Sequence, residues 1–508
     1  MSSASASRPS ARGPRPSVSS ARPSALGPQP SFYWHDYETF GTDARLDRPA
    51  QFAGLRTTLE LEPQGEPLVL YCRPAPDVLP RPAACLVTGI TPQQAEREGV
   101  SEAEFAARVH EELAVPGTCG AGFNSIRFDD EFTRHLLYRN FHDPYEREWK
   151  DGNSRWDIID LARMCYALRP AGIEWPRRAD GAPSFRLEDL TAANALGHAR
   201  AHDALSDVHA TIALARLLKD RQPRLWEFYF GLRRKQRVLE LLDWSARTAV
   251  LHVSSRYPAE RGCLAMVVPL AAHPTQPNKV IVYDLDVDPA PLIELDPDDI
   301  ADRVFTARAD LPDDVERVPL KTVSINRSPA LAPLAVLKDA DARRLGLDLA
   351  RCERHLERLR RAADVAEKAR RVFAEGGEDQ VPIDPELALY RGFASDADRR
   401  TCAEVRRTPP AELGRRKFPF RDPRFDELLF RYRARNWPET LTAAEHERWR
   451  EFRRARLTEA TALTNLTLER YFAEIAELRR GAADDAAAQS LLDQLEDWGH
   501  RIVADVES

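Results

Sequence analysis

Between residues 32 and 220 the hydrophobic period changes three times, and that order restricts the fold more than any single motif. Residues 32–40, 51–61 and 67–72 read as strands, with Gln64-Gly65 placed as a hairpin turn between the last two. Residues 101–114 have helical spacing, 118–123 return to a strand, and 129–140, 157–168, 187–195 and 203–220 are helical again. Strands first, helices after, and one strand back among them describe an α/β sheet with helices packed on it.

The remainder of the chain reads differently. Residues 223–242 have the spacing of a connecting helix. Short apolar runs at 249–254, 263–270 and 279–284 lie between Pro and Asn turns, which predicts a small barrel or sheet over 248–330. From Leu349 onward steps of three and four prevail, as in 351–374, 457–479 and 484–503. A length of 508 residues fits about three domains at ~100–200 residues each. Residues 1–30 are almost all Ser, Ala, Pro, Arg and Gly without an acid, the makeup of a disordered leader. They lack the apolar core of a secretory signal, and six prolines would break an amphipathic targeting helix.

Composition removes several classes of function. The longest apolar run, 263–272, falls well short of the ~18–20 residues that a membrane span needs, so channels and transporters are excluded. A net charge of −7 rules out a blanket polyanion binder, but local charge still steers a nucleic acid to an enzyme. Of the 73 basic residues 65 are Arg, consistent with GC-rich codons and equally with phosphate recognition by guanidinium forks. The seven cysteines are scattered and form no CxxC pair, which argues against a zinc site or disulfide framework and for buried thiols in a cytosolic protein.

Chemistry concentrates in three segments. In His35-Asp36-Tyr37-Glu38, alternation along a strand sends Asp36 and Glu38 to one face and Tyr37 to the other. Adjacent carboxylates repel, and their burial is costly unless a cation lies between them. Hard oxygen ligands suit Mg²⁺ or Mn²⁺; on a solvated edge the same tripeptide would do nothing. Asp129 sits where a strand gives way to a helix, either capping that helix or facing the end of the sheet. His202 and Asp207 open a strongly apolar helix at a spacing that lets an imidazole approach water near an Asp207-bound metal. Capping by Asp203, with His202 and Asp207 solvated, is the alternative.

D-x-E on the first strand, an Asp after a later strand and H-x₄-D on a late helix is the layout of DEDD exonucleases of the histidine subclass. The wording is more specific. HDYETFGTDARLDRPAQFAGLRT, TGITPQ, FNSIRFDDEFTR, NSRWD, CYALRP, PSFRLEDLTAAN, AHDALSDVHATIALA, LYRGFASDADR and YRARNWPETL resemble the bacterial exodeoxyribonuclease I family over about residues 31–505. That resemblance implies a C-shaped enzyme. After the 1–30 leader would come a ribonuclease H-like α/β exonuclease domain (31–221), an SH3-like β-barrel domain (222–361) and an α-helical C-terminal domain (362–508).

The resemblance also implies 3′→5′ digestion of single-stranded DNA to 5′-mononucleotides, in repair and recombination, by a monomer of the bacterial cytoplasm. Asp36, Glu38 and Asp207 would ligate two Mg²⁺ ions, with Mn²⁺ able to substitute, and Asp129 would complete the carboxylate cluster. His202 would take the water proton. Glu38 and Arg186 would touch substrate near the scissile nucleotide. Arg134, Tyr145, Trp149, Arg163, Arg169 and Lys235 would contact the strand. Arg344, and also Arg169, would receive the acidic C-terminal tail of single-stranded DNA-binding protein. The core carboxylates alone leave open an RNA-directed DEDD exonuclease. A catalytically inactive 3′-end-binding module is disfavoured by the presence of all five core residues.

Overall fold

The computed structural model describes residues 29–197, 202–313, 315–374 and 383–507. Nearly all of the expected leader lies outside the described residues. Strand β1 (Ser31–Thr39) is the middle strand of a five-stranded sheet of order β3-β2-β1-β4-β5. Its alternation sets two apolar faces. Phe32 and Trp34 enter a core with Trp156, Trp226 and Phe230. Tyr33 and Tyr37 pack on the other side against Phe52 and Phe105. Asp36 and Glu38 share the face of Phe32 and Trp34, near the C-terminal end of the strand.

Strand β2 (Pro49–Thr57) pairs antiparallel with β1 and with β3 (Pro63–Tyr71). On the other side β4 (Thr118–Gly122) and β5 (Ser154–Asp157) are added in parallel. Parallel neighbours need crossovers. Helices α1 (Pro82–Thr88), α2 (Pro92–Glu98) and α3 (Glu102–Leu113) lead to β4, and α4 (Asp129–Arg139) leads toward β5. Then come α5 (Ile158–Leu168), α6 (Leu187–Ala193) and α7 (Ala204–Arg221), the last packed on β1 and β2.

Helices α8 (Pro223–Gly231) and α9 (Lys235–Leu241) lead to a second sheet. Its strands β6 (Val250–Val253), β7 (Leu264–Ala272), β8 (Lys279–Asp284), β9 (Leu320–Ser324) and β10 (Ala330–Pro333) pair antiparallel in the order β10-β6-β7-β8-β9. The rest is helical. Its last two helices, Leu468–Gly481 and Ala486–Glu507, pack Tyr471, Leu492 and Leu495 against Phe40, Leu79 and Cys85. All seven cysteines are free and buried. No helix among the described residues is long and apolar enough to cross a membrane.

Several local expectations change. The β2–β3 turn is residues 58–62, closed by the Thr58 amide on the Glu62 carbonyl at 2.9 Å, while Gly65 lies within β3 at a register shift. Its φ of +77° explains why glycine signals a turn there without being one. The four residues of β5 are too few to show a period. The connecting helix breaks after Gly231, and 351–374 divides into Leu349–Arg361 and Val365–Val372. The run 457–479 spans a break between Ala443–Thr458 and Leu468–Gly481, where Thr461, Thr464 and Thr467 hydrogen-bond locally and outcompete the helix.

A buried ionic cluster joins the helical part to the first sheet. The Glu386 carboxylate receives Arg48 at 3.0 Å, Arg431 at 3.1 Å, Arg456 at 3.4 Å and Arg435. Asp77 receives Arg435 at 2.7 Å and Arg456 at 2.8 Å. Burial alone would raise both acids, but the surrounding guanidinium groups hold Asp77 and Glu386 well below the usual carboxylate range.

Candidate active site

The acidic segments meet at the C-terminal end of β1. Residues 124–128 link β4 to α4 through a tight turn. Asn124 has φ +63°, and both oxygens of Asp157 hold the turn, taking the amides of Asn124 at 2.9 Å and Ile126 at 3.2 Å. Asp157 also accepts the Ile159 amide at 3.1 Å, so one carboxylate caps α5 and fixes the approach to α4. Asp129 is not the cap of α4. It is the first helical residue, and its Oδ1 accepts the Tyr37 amide at 3.0 Å. That bond ties Asp129 to the backbone between Asp36 and Glu38.

Asp203 caps α7 through the Ser206 amide at 3.0 Å. His202, at φ +62°, stands just ahead of the helix, and its amide donates to Asp207 Oδ2 at 3.3 Å. Ligand atoms of Glu38, His202 and Asp207 all lie within 4.8 Å of one another. Burial, then repulsion from Asp129, Glu38 and Asp207, drives Asp36 well above the ordinary carboxylate range. Burial, then Asp207 and Asp203, pushes Glu38 up to about 8. Burial and then Asp130 raise Asp129 as well. Among the described residues, the charged neighbours that act on Asp36 and Glu38 are acidic. Four oxygen-donor side chains that repel each other, with a histidine at the rim, fit divalent cations.

Asp36 and Asp207 open into a cleft of about 700 Å³, with Phe123, Asn124, Arg163 and Phe185 on its walls. Arg186 lines it too, exposed and paired with Glu188. Tyr257 enters from the second sheet and also lines an adjoining cavity of about 260 Å³ that carries Arg127, Arg256, Lys321 and Arg327. Arg256, Tyr257, Lys321 and Arg327 carried no sequence signal, since no period or motif ties them to the centre.

The outlying positions separate. Trp149 is 65 % exposed, and Lys235 is exposed with its Nζ on Asn278 at 2.8 Å. Arg163 reaches the cleft wall while paired with Asp160 at 2.8 Å. Tyr145 is half-buried under Phe393, ring centroids 5.3 Å apart. Arg134 is buried, with its guanidinium on Glu148 at 2.7 and 2.8 Å and on Glu131 at 3.0 Å, so its donors are engaged within the protein. Arg344 donates from one terminal nitrogen to the Tyr166 and Ala167 carbonyls at 2.8 and 2.9 Å, and its side chain stays partly exposed. It braces the C-terminal end of α5, and the next residue, Arg169, borders a separate apolar cavity of about 450 Å³.

Known proteins match this arrangement. The family described as "Exonuclease" matches residues 33–215, "Exonuclease I SH3-like domain" matches 233–375 and "Exonuclease I C-terminal domain" matches 383–502. Exodeoxyribonuclease I of Escherichia coli is 48 % identical over 474 residues, covering 93 % of this chain and 98 % of its own. The structure of an exonuclease I from Methylocaldum szegediense superposes with TM-score 0.90 at 53 % identity, covering 93 % of this chain and all of its own. The E. coli enzyme with a dA16 oligonucleotide superposes with TM-score 0.90 at 47 % identity and the same coverage. Similar structures also include a zinc-bound E. coli complex with single-stranded DNA and one described as SSB/Exonuclease I with the inhibitor CFAM. The first sheet with its helices is thus a ribonuclease H-like exonuclease domain, followed by an SH3-like domain and a helical C-terminal domain, and the chain belongs to the exodeoxyribonuclease I family.

Proposed function

We propose that this enzyme removes nucleotides from the 3′ end of single-stranded DNA, releasing 5′-mononucleotides, in DNA repair and recombination. The observation that carries the reading is the meeting of Asp36, Glu38, Asp129 and Asp207 from three distant stretches of chain beside His202. The E. coli relative bound to oligonucleotides and to zinc supports it. The test is digestion of 3′- and 5′-labelled single- and double-stranded oligonucleotides with Mg²⁺, with and without EDTA. Stepwise shortening from the 3′ end of single strands only, stopped by EDTA, is the expected result. Loss from the 5′ end, cleavage in EDTA or faster loss of matched RNA would overturn it.

Asp36, Glu38 and Asp207, completed by Asp129, would hold two Mg²⁺ ions, with Mn²⁺ able to replace them. When bound, such ions neutralise charge on the scissile phosphate and favour hydroxide-like water. The chain's own groups do the rest. Glu38 touches the terminal 3′-hydroxyl, and Arg186, on leaving Glu188, meets a phosphate at the cleft mouth. His202 is placed to accept the proton of the attacking water, a task worth ~10²–10⁴-fold in rate. His202→Ala should therefore lose that much kcat in Mg²⁺ with strand affinity nearly unchanged; a change confined to KM would remove His202 from this role.

The strand would leave the cleft past Tyr257 into the adjoining cavity, where Arg256, Lys321 and Arg327 face Arg127. Base stacking on Trp149 would add affinity at about 1–3 kcal/mol per base. A partner site fits the 450 Å³ cavity, with Leu225, Phe228, Ala332 and Val336 inside and Arg169 and Arg224 at its edge. An apolar cavity with cationic borders suits the acidic tail of single-stranded DNA-binding protein. We place the monomeric enzyme in the bacterial cytoplasm.

A further inference from the structure

The segment Phe128-Asp129-Asp130-Glu131 carries two aspartates in a row, and the first of them is the one tied to β1. Asp130 follows it in the first turn of α4 and is buried, 1 % exposed. Successive helical residues point ~100° apart, so the two carboxylates diverge. Two guanidinium groups take Asp130, Arg147 on Oδ1 at 2.6 Å and Arg155 on Oδ2 at 2.9 Å. Both also pair with Glu148, at 3.6 and 3.1 Å, and Glu148 receives Arg134 at 2.7 Å. The second sheet reaches the same group. The Asn326 carbonyl accepts Arg155 at 3.3 Å, and Arg327 meets Glu131 at 2.9 Å.

Burying ions is costly, and apolar side chains of similar volume would hold β5 against α4 without that cost. The charges of this group also reach the centre. After burial, Asp130 is the main influence that raises Asp129. Asp130 and Arg147 both act on His35 and Tyr37, which flank Asp36 on β1. The Arg147 guanidinium and the His35 ring lie 3.6 and 3.7 Å from where a Cβ of Gly120 on β4 would stand. Two buried cations, Arg147 and Arg155, thus stand beside a centre whose task is to hold cations, and the Asp130 carboxylate bridges them as their counter-charge.

We propose that Asp130 is a positioning residue for the metal centre. Its carboxylate balances Arg147 and Arg155 beside Asp129, and that balance sets how tightly the acidic cluster holds a divalent cation. Through Asn326 and Arg327 the SH3-like domain takes part in the setting. The inference rests on the metal-dependent reading above and concerns the control of that same centre.

The test counts Mn²⁺ bound to the full-length enzyme without DNA, from the electron paramagnetic resonance signal of free Mn²⁺. Asp130→Asn keeps the shape but leaves two guanidinium groups unbalanced. It should weaken Mn²⁺ about 10- to 100-fold, the range for groups that support a metal ligand. Arg155→Gln removes one of those cations and should tighten Mn²⁺ about 3-fold or more. The Asp130→Asn/Arg155→Gln double variant restores the balance and should return to within a few-fold of wild type. Arg327→Gln, at a partly exposed position, should tighten Mn²⁺ less than Arg155→Gln. Those two variants carry the test if Asp130→Asn does not fold. The Mg²⁺ concentration for half-maximal digestion of a single strand should move in the same direction in each variant. A group with a packing task alone would lose affinity in every variant, the double most of all. That result, or unchanged binding in Arg155→Gln, would overturn the proposal. Wild-type enzyme that binds no Mn²⁺, or digests single strands in EDTA, would instead sink the reading beneath it.

Discussion

An Asp36→Asn variant should lose about 10³-fold or more in turnover while binding single-stranded DNA within a few-fold of wild type. Ions at such a centre supply several kcal/mol of charge stabilisation, and each ~1.4 kcal/mol is tenfold in rate. Single-turnover digestion in saturating Mg²⁺ measures the first quantity, and anisotropy in EDTA the second. Normal turnover would remove Asp36 from the centre. The same variant should be more stable than wild type without metal, because one of four mutually repelling carboxylates is gone. A carboxylate with its folded value above its unfolded one favours folding most when protonated. For Glu38, raised from 4.5 to about 8, metal-free stability should fall as pH rises across that window. Melting in EDTA at pH 5 and pH 8 should show a shallower slope for Asp36→Asn, and added divalent metal should flatten both.

Glu386→Ala should cost about 3–5 kcal/mol, since it leaves buried guanidinium groups without their counter-charge. Arg48, Arg431, Arg435 and Arg456 all meet this carboxylate. The melting transition of the C-terminal domain should drop by several degrees, and Glu386→Gln should fall between, keeping an acceptor but no charge. An unchanged melt would show that the cluster does not hold the domains together. The pH dependence is opposite to that at the centre. Glu386 and Asp77 are held below the usual carboxylate range, so their contribution is complete above about pH 4–5 and is lost as pH falls through their folded values. Acid should therefore release the C-terminal domain before it melts β1.

The centre was legible because its side chains sit at fixed offsets on regular elements. Asp36 and Glu38 follow from strand alternation, and His202 and Asp207 from the start of an apolar helix. Asp129 was found by position, with a capping role left open beside a place at the end of the sheet; its bond to the Tyr37 amide, between residues 92 apart, decides for the second. The arginines were least legible. Arg134, Arg344 and Arg186 look alike in sequence, yet the first is engaged by Glu148 and Glu131, the second by helix-end carbonyls, and only the third is open at the cleft. A guanidinium reveals its task only through its partners, and those lie far along the chain. The Glu386 cluster escaped notice for the same reason. Thr-rich residues 459–467 interrupted a helical period that composition alone would carry through.

The position of β1 has a consequence for how sequences like this one can vary. Both edges of the strand are paired, to β2 and to β4, and both faces are committed. Deleting one residue ahead of Asp36 would shift the parity of everything before it against everything after. Either the two acids would turn into the aromatic layer of Phe52 and Phe105 while Tyr37 emerged into the cleft, or Phe32 and Trp34 would exchange sides with Tyr33. Length changes therefore have no harmless place in this strand, whereas the 58–62 turn can absorb them. Lineages of the enzyme should differ in length at that turn and almost never inside β1.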